Sequence, residues 1–482
     1  MNRIFIFVAA CFILFTTACK KDLQDQGSSP ETFSSSQADL LKDSVYLYSK
    51  EIYLWQDVIP SYQNFNPRQY AGTSELETGS AVMNAIRKLQ PLDHFSFITT
   101  KEESAGLQTG AAVDYGFFIK AAAVDKAEPL DSVRWFVTYA FDKSTAGAAG
   151  VSRGWYINKI NGSRVSYSQS GIDLLNEVFF GNTTSAAFEF VKPDGSAITT
   201  NLSKTSFVSN SVLHKSVIST GSKKVGYLVF KQFFGEPSRI ELNNAFSEFR
   251  SAGIDELVVD LRYNPGGSTE TQDALANLIA PASANNKTMY KYVFNQSLQS
   301  GNFPLLQKKA GYGTASFTEA NNTLKFQNTG TLNLSRVFFI VTDGTASVSE
   351  LLINNLKPYM DVKLVGDTTY GKPVGFFPID IFNYSIYPIS FKTVNSAGNA
   401  DYYSGFAPDQ LAPDGVNNSW GDITEPSLAS ALKYIRTGSF RSAARGEQLS
   451  AKQMGLQQEL QPVNSRLEGK KFNGMFSERS RK

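Results

Sequence analysis

Ser347 and Lys372 are the two side chains whose surroundings in the sequence best suit covalent chemistry. Ser347 stands in TDGTASVSELLINNL, directly after the apolar run SRVFFIVT, which places it at a strand-to-helix turn. A helix N-terminus offers unpaired backbone N–H groups and the positive end of the helix dipole, and both stabilise a developing oxyanion. Serine is also a preferred N-cap of any helix, so the turn alone leaves simple capping open. Lys372 follows 25 residues later, between Gly371 and Pro373 at the end of another strand-like stretch. A lysine acts as a base only where burial disfavours the ammonium and lowers its pKa; the sequence shows the lysine, not the burial. A third segment, ELVVDLRYNPGG, ends an apolar strand in the turn Asn264-Pro265-Gly266-Gly267, where glycine lets a backbone N–H approach a ligand closely.

Other candidates are weaker. Gly150-Val151-Ser152-Arg153-Gly154 matches G-x-S-x-G, but such an elbow needs a strand before it and a helix after it. Here an Ala/Gly-rich loop precedes and the strand-like WYINKI follows, so Ser152 is not taken as a nucleophile. The chain has two histidines, His94 and His214, and neither stands in a metal-ligand spacing. His214 reads as structural; His94, beside Asp93 in PLDHFSF, is kept as a reserve base because the carboxylate could orient its imidazole.

These groups need a scaffold, and 482 residues at roughly 150 per domain suggest about three domains. With 42% hydrophobic and 13% aromatic residues, the chain is not mainly disordered. A net charge of +2 leaves no basic footprint for nucleic acid. Ile4 to Ala18 is an almost unbroken apolar stretch of signal-peptide length, and Thr16-Thr17-Ala18-Cys19 resembles a lipobox. The expectation is a signal over 1–18, lipidation at Cys19 and a Ser-rich tether to residue 38. That makes an exported protein anchored by lipid in the cell envelope, at the outer membrane, facing the periplasm or the outside. Cys11 and Cys19 are the two cysteines, and Cys11 leaves with the signal, so no intramolecular disulfide is expected. Leu41, Val45, Tyr48, Ile52 and Trp55 recur at helical spacing and open a helical domain over 39–107. Short strands and turns over 108–205 predict a β-rich domain. Alternating strands and helices over 206–437 predict an α/β core. The polar stretch 438–482 reads as a disordered tail.

Taken together, the ordered segments resemble the C-terminal processing, or tail-specific, serine peptidases. Their D-L-R-x-N-x-G-G segment appears as Asp260 to Gly267, their G-[ST]-A-S-x-S-E segment as Gly344 to Glu350, and their G-[DE]-x-T-x-G-K segment as Gly366 to Lys372. The resemblance implies an α/β core related to the ClpP and crotonase folds, with an inserted PDZ-like β domain and a small helical N-terminal domain. It implies a Ser347–Lys372 dyad, an oxyanion hole from the Val348 N–H and Gly266 or Gly267, polypeptide substrates, and no metal or organic cofactor. Tyr115 to Ile119 is similar to the carboxylate-binding loop of a PDZ module, which implies peptide capture by Gly116, Phe117 and Phe118; a β domain that merely packs against the core is the plainer reading. One position departs from the pattern: Phe376 stands where many members carry a glutamine that orients the lysine. A non-catalytic peptide-binding lipoprotein with a degenerate core is the alternative that this departure favours.

Overall fold

Along the strands of the 206–437 region, alternate residues face opposite ways, so an apolar run buried on both sides needs a layer on each face. The computed structural model describes residues 36–124, 133–441 and 474–477 and shows this arrangement. A six-stranded sheet runs in the order Val212–Thr220, Lys223–Phe230, Glu256–Asp260, Arg336–Val341, Asp361–Gly366 and Gln410–Leu411. The first pair is antiparallel and the other pairs are parallel. Leu228, Phe230, Leu257, Val259, Val337, Phe339 and Val341 pack into one core cluster. Their neighbours Tyr227, Val229, Val258, Phe338 and Ile340 pack into another, beneath the helix Pro426–Thr437.

On the first face lie the helices Gly235–Ala252, Thr269–Ile279 and Val348–Leu356. Every residue of Val348–Leu356 is buried, because a four-stranded antiparallel sheet closes over it: Thr323–Lys325, Thr288–Val293, Phe391–Asn395 and Val374–Gly375. Its polar side chains are matched inside: Glu350 accepts from Ser347, Thr369, Gly371 and Lys372, the Asn354 amide donates to the Asn399 carbonyl and the Asn355 amide to Gln272, as buried polar groups require.

The N-terminal helices Gln37–Ile52 and Glu75–Arg87 are capped by Ser36 and Ser74, whose side chains accept the N–H groups of Asp39 and Glu77. Their apolar faces do not form a separate core. Leu41, Val45, Ile52, Val82, Met83 and Ile86 belong to the same cluster as the first face of the large sheet.

The middle region does have its own core. Five antiparallel strands, Phe117–Ala123, Val133–Ala140, Tyr156–Ile160, Ser185–Val191 and Ala197–Ser203, pack with the helix Gln169–Phe180 around Trp135, Phe188 and Phe190. Ala111–Asp114 pairs with Thr205–Val208, so the chain enters and leaves this unit side by side.

The signal, Cys19 and almost all of the tether lie outside the described residues, as does most of the tail. The expectation of a wholly disordered tail is corrected at residues 474–477: Met475–Phe476 forms a strand parallel to Gly267–Ser268.

Candidate active site

The turn that carries Ser347 is tied to the Asn264 turn by backbone and hydroxyl groups. The Thr345 hydroxyl donates to the Leu261 carbonyl at 2.8 Å, the Ala346 N–H to the Asn264 carbonyl at 3.0 Å, and the Ser349 hydroxyl to the same carbonyl at 3.1 Å. Held in this way, Ser347 takes φ 64° and ψ −114°. A capping residue sits in extended backbone, as Ser36 and Ser74 do. Ser347 therefore opens its helix with a backbone unlike theirs, and a serine held at positive φ is costly unless its surroundings impose it. Its hydroxyl is buried without a hydrogen-bond partner, while its N–H donates to Glu350 Oε2 at 2.8 Å.

The two glycines of the facing turn have different parts. The Gly266 N–H is engaged by the Asn264 side-chain oxygen at 3.0 Å, and the Asn264 amide is anchored on the Phe230 carbonyl. Gly266 contributes space: its φ is 109°, and a Cβ there would lie 3.0 Å from Ser347 Cβ. The Gly267 N–H is the donor directed into the cleft, where the carbonyl of Gly474 accepts it at 2.8 Å. Val348 is the first residue of its helix, so its N–H has no acceptor within the helix.

Lys372 is completely buried. Its Nζ lies 4.3 Å from the Phe376 ring centroid and 4.8 Å from that of Phe95. Removal from water pushes its pKa down to about 7, against the opposing pull of Asp93 and Glu350. Phe376 thus stands as one apolar wall of the amine, and its ring face offers weak attraction to the ammonium. The Lys372 N–H donates to Glu350 Oε2 at 2.8 Å, and Glu350 Oε1 accepts from the Gly371 N–H and the Thr369 hydroxyl. Burial raises the Glu350 pKa and these hydrogen bonds oppose the rise.

Sequence reasoning missed Asp93, Phe95 and the part of Glu350. The Asp93 carboxylate accepts from Tyr53 Oη, Ser96 Oγ and the backbone N–H groups of Phe95 and Ser96. It does not orient His94, whose side chain is exposed. The Asp-His juxtaposition in PLDHFSF draws attention to His94, whereas the carboxylate whose charge reaches Lys372 is that of its neighbour Asp93. His214 lies on the sheet's edge strand with Nε2 3.1 Å from the Ser216 hydroxyl.

Beneath the Asn264 turn sits a buried ion cluster. The Arg262 guanidinium bonds Asp260, Glu425 and Asp414, and Arg153 from the middle unit bonds Asp414 at 2.7 Å and Tyr263 Oη at 2.7 Å. Ser152, exposed, bonds only locally to the Gly150 carbonyl; its neighbour Arg153 is the residue of that segment with structural weight. In the loop at 115–119, the Gly116 N–H is engaged by Asp114 Oδ1 at 2.5 Å. Phe117 is buried in the unit's core and Phe118 stacks on Tyr139, so both rings are committed to packing within this unit.

The comparisons with known proteins bear on the parallel sheet and its serine turn. Residues 224–409 match the model of peptidase family S41, in keeping with the resemblance drawn from the motifs. Among curated proteins, the chain is similar to the "Probable CtpA-like serine protease" of Staphylococcus saprophyticus, 23% identical over 65% of this chain and 56% of that one. The protein of the same description from Staphylococcus aureus strain N315 is 25% identical over 61% and 51%. The chain therefore spans about half the length of the curated relatives it matches. Among solved structures, an S41-type protein of Bacteroides fragilis NCTC 9343 superposes with a TM-score of 0.64 at 22% identity, over 86% of this chain and all of the other; that likeness shows the fold.

Proposed function

We propose that this chain is a serine endopeptidase that cleaves unfolded or C-terminally exposed polypeptides with Ser347 as nucleophile and Lys372 as general base. The observation that carries this reading is the buried amine of Lys372, with a pKa near 7, anchored through its backbone to the carboxylate that also holds Ser347. Near neutral pH a substantial fraction of that amine is unprotonated and able to accept the serine proton. Ser347 Oγ attacks the scissile carbonyl as its proton passes to Lys372 Nζ. The oxyanion forms beside the N–H groups of Gly267 and Val348. Lys372 then returns the proton to the leaving amine, and water attacks the acyl-enzyme with the same base. No step in this sequence asks for the amide that Phe376 replaces, because burial already lowers the lysine pKa.

The middle unit is proposed as a PDZ-like substrate-gating element. Its strand Phe117–Ala123 is at the edge of its sheet, where an added peptide strand could pair. Lipid anchoring at Cys19 is proposed from the sequence alone; incorporation of labelled palmitate that persists in Cys19→Ala would overturn it.

The test of the central reading is digestion of an unstructured protein by the full chain, with new termini read by mass spectrometry. Cleavage by the wild type that is lost in Ser347→Ala and in Lys372→Ala is the expected result. Equal inertness of all three across pH and substrates would replace it with the peptide-binding reading, and a loss in His94→Ala as deep as in Lys372→Ala would move the base role to His94.

A further inference from the structure

The strand at residues 474–477 does not pair at an arbitrary edge. On one side Met475 and Phe476 are in parallel register with Gly267 and Ser268. On the other, Phe376 pairs with Phe476, and the Phe376 N–H donates to the Met475 carbonyl at 2.9 Å. The segment therefore fills a slot one strand wide, between the turn that supplies the Gly267 donor and the strand that follows Lys372.

Three features make this slot a peptide groove. First, the carbonyl of Gly474 accepts the Gly267 N–H, the donor assigned above to the oxyanion. That carbonyl and Ser347 Cβ lie 2.7 and 3.0 Å from the point where a Cβ on Gly266 would sit, so the Gly474 carbonyl and the serine flank the same point beside Gly266. Second, the walls are glycine where the strand's backbone passes: a Cβ on Gly375 would lie 2.8 Å from the Met475 carbonyl. Third, Met475 and Phe476 are buried in the main apolar core cluster. The Phe476 carbonyl accepts from the Thr269 hydroxyl, and the Ser477 hydroxyl donates to Glu270. Main-chain pairing supplies affinity and side-chain pockets supply selectivity, as in strand addition generally.

We propose that Gly474–Ser477 is a built-in ligand of the catalytic groove, holding the Gly474 carbonyl where a substrate's reacting carbonyl would sit and so competing with substrate. The groove's own selectivity follows: apolar side chains at the two positions after the reacting carbonyl, where Met475 and Phe476 lie. Residues 442–473 tether the segment to the fold. A tethered strand acts at an effective concentration in the millimolar range, so for a Kd of about 100 µM its removal relieves inhibition by about tenfold.

The inference deepens the peptidase reading and rests on it for the activity measurement; a binding measurement stands apart from it. The full chain is compared with Phe476→Asp, Met475→Asp and a chain ending at Asn473. Hydrolysis of an unstructured protein should rise about tenfold in the variants, and a synthetic peptide spanning Glu468–Lys482 added to them should inhibit competitively. In parallel, the same peptide carrying a fluorophore is titrated into Ser347→Ala chains, where catalysis plays no part. It should bind Phe476→Asp, and bind the unaltered 474–477 background about tenfold more weakly. Equal affinity for the two, or no binding to either point variant, would sink the proposal even if the enzyme is active. Tight binding with an inert wild type and inert variants would instead keep the groove and remove the peptidase reading. The point variants cover the case in which truncation destabilises the core.

Discussion

The backbone amides of Ser347 and Lys372 donate to one and the same oxygen, Glu350 Oε2, each at 2.8 Å. Two residues from different segments, one opening a helix and one following a strand, are thereby fixed to a single buried carboxylate. The remaining oxygen holds Thr369 and Gly371, so all four donors set the position of Ser347, the proposed nucleophile, relative to Lys372, the proposed base.

Glu350→Gln should uncouple them. A carboxamide has one acceptor oxygen, and its NH2 would meet N–H donors on the other side. Misplacement on this scale lowers kcat by about 100-fold. Removing a negative charge that favours the ammonium also lowers the Lys372 pKa, so the acid limb of the pH–rate profile should move to lower pH. A variant with reduced rate but an unmoved limb would contradict the electrostatic part of this account.

The pH dependence of the wild type follows from the same amine. The proposed mechanism requires the neutral form, so kcat/KM should rise with pH through a midpoint near 7 and then level off. Stability has the matching sign. The folded pKa lies below the ordinary value of 10.5, so between about 7 and 10.5 the unfolded chain binds a proton that the folded chain lacks, and the burial penalty is greatest below 7 and vanishes above 10.5. Lys372→Met should therefore abolish hydrolysis and raise Tm, with the gain largest in acid and small near pH 10. Thermal unfolding across that range checks it, and a Tm that falls at every pH would show that the amine is stabilising.

Phe376→Gln tests the aromatic wall. An amide in place of the ring admits polarity to the amine and favours its charged form. The midpoint of kcat/KM should shift upward, with activity retained in alkaline buffer. Loss of activity at every pH would mean the ring positions Lys372 rather than merely drying it.

Arg153→Met addresses the joint between the middle unit and the core. It removes one partner of the buried Asp414 and one of Tyr263, and breaking a buried pair from one side costs about 3 kcal/mol. Urea unfolding should show that loss, and hydrogen exchange should rise first in the 111–208 region. A change within about 0.5 kcal/mol, the scale of an unremarkable surface substitution, would mean that Arg262 and Lys120, whose Nζ lies 3.5 Å from the Asp414 carboxylate, suffice for Asp414.

Much of the core was legible because its signals are local. KVGYLVF, ELVVD and RVFFIV are apolar runs of strand length, and the structure has strands at Lys223–Phe230, Glu256–Asp260 and Arg336–Val341. What escaped was non-local. Nothing near Lys372 in the chain signals that Phe95 and Asp93 approach it, since that contact is made by packing between distant segments. The pairing of Thr288–Val293 with Phe391–Asn395 is equally remote in sequence. The helical region looked self-contained because its periodicity is strong, yet periodicity reports that a face is buried and not what buries it. Met475 and Phe476 are two apolar residues in a polar context, too short a run to read as a strand without the groove that receives them.

Phe95 and Asp93 reach Lys372 from a loop supported by Tyr53 and by the Ser96 hydroxyl, which accepts the Ile389 N–H. The amine is thus dried by a part of the chain synthesised long before it. If Ser347 and Lys372 act as proposed, the amine gains its lowered pKa only once this loop has docked, since burial is the leading cause of the shift. Refolding followed in parallel by the fluorescence of the four tryptophans and by turnover should show turnover lagging or coinciding, and never leading.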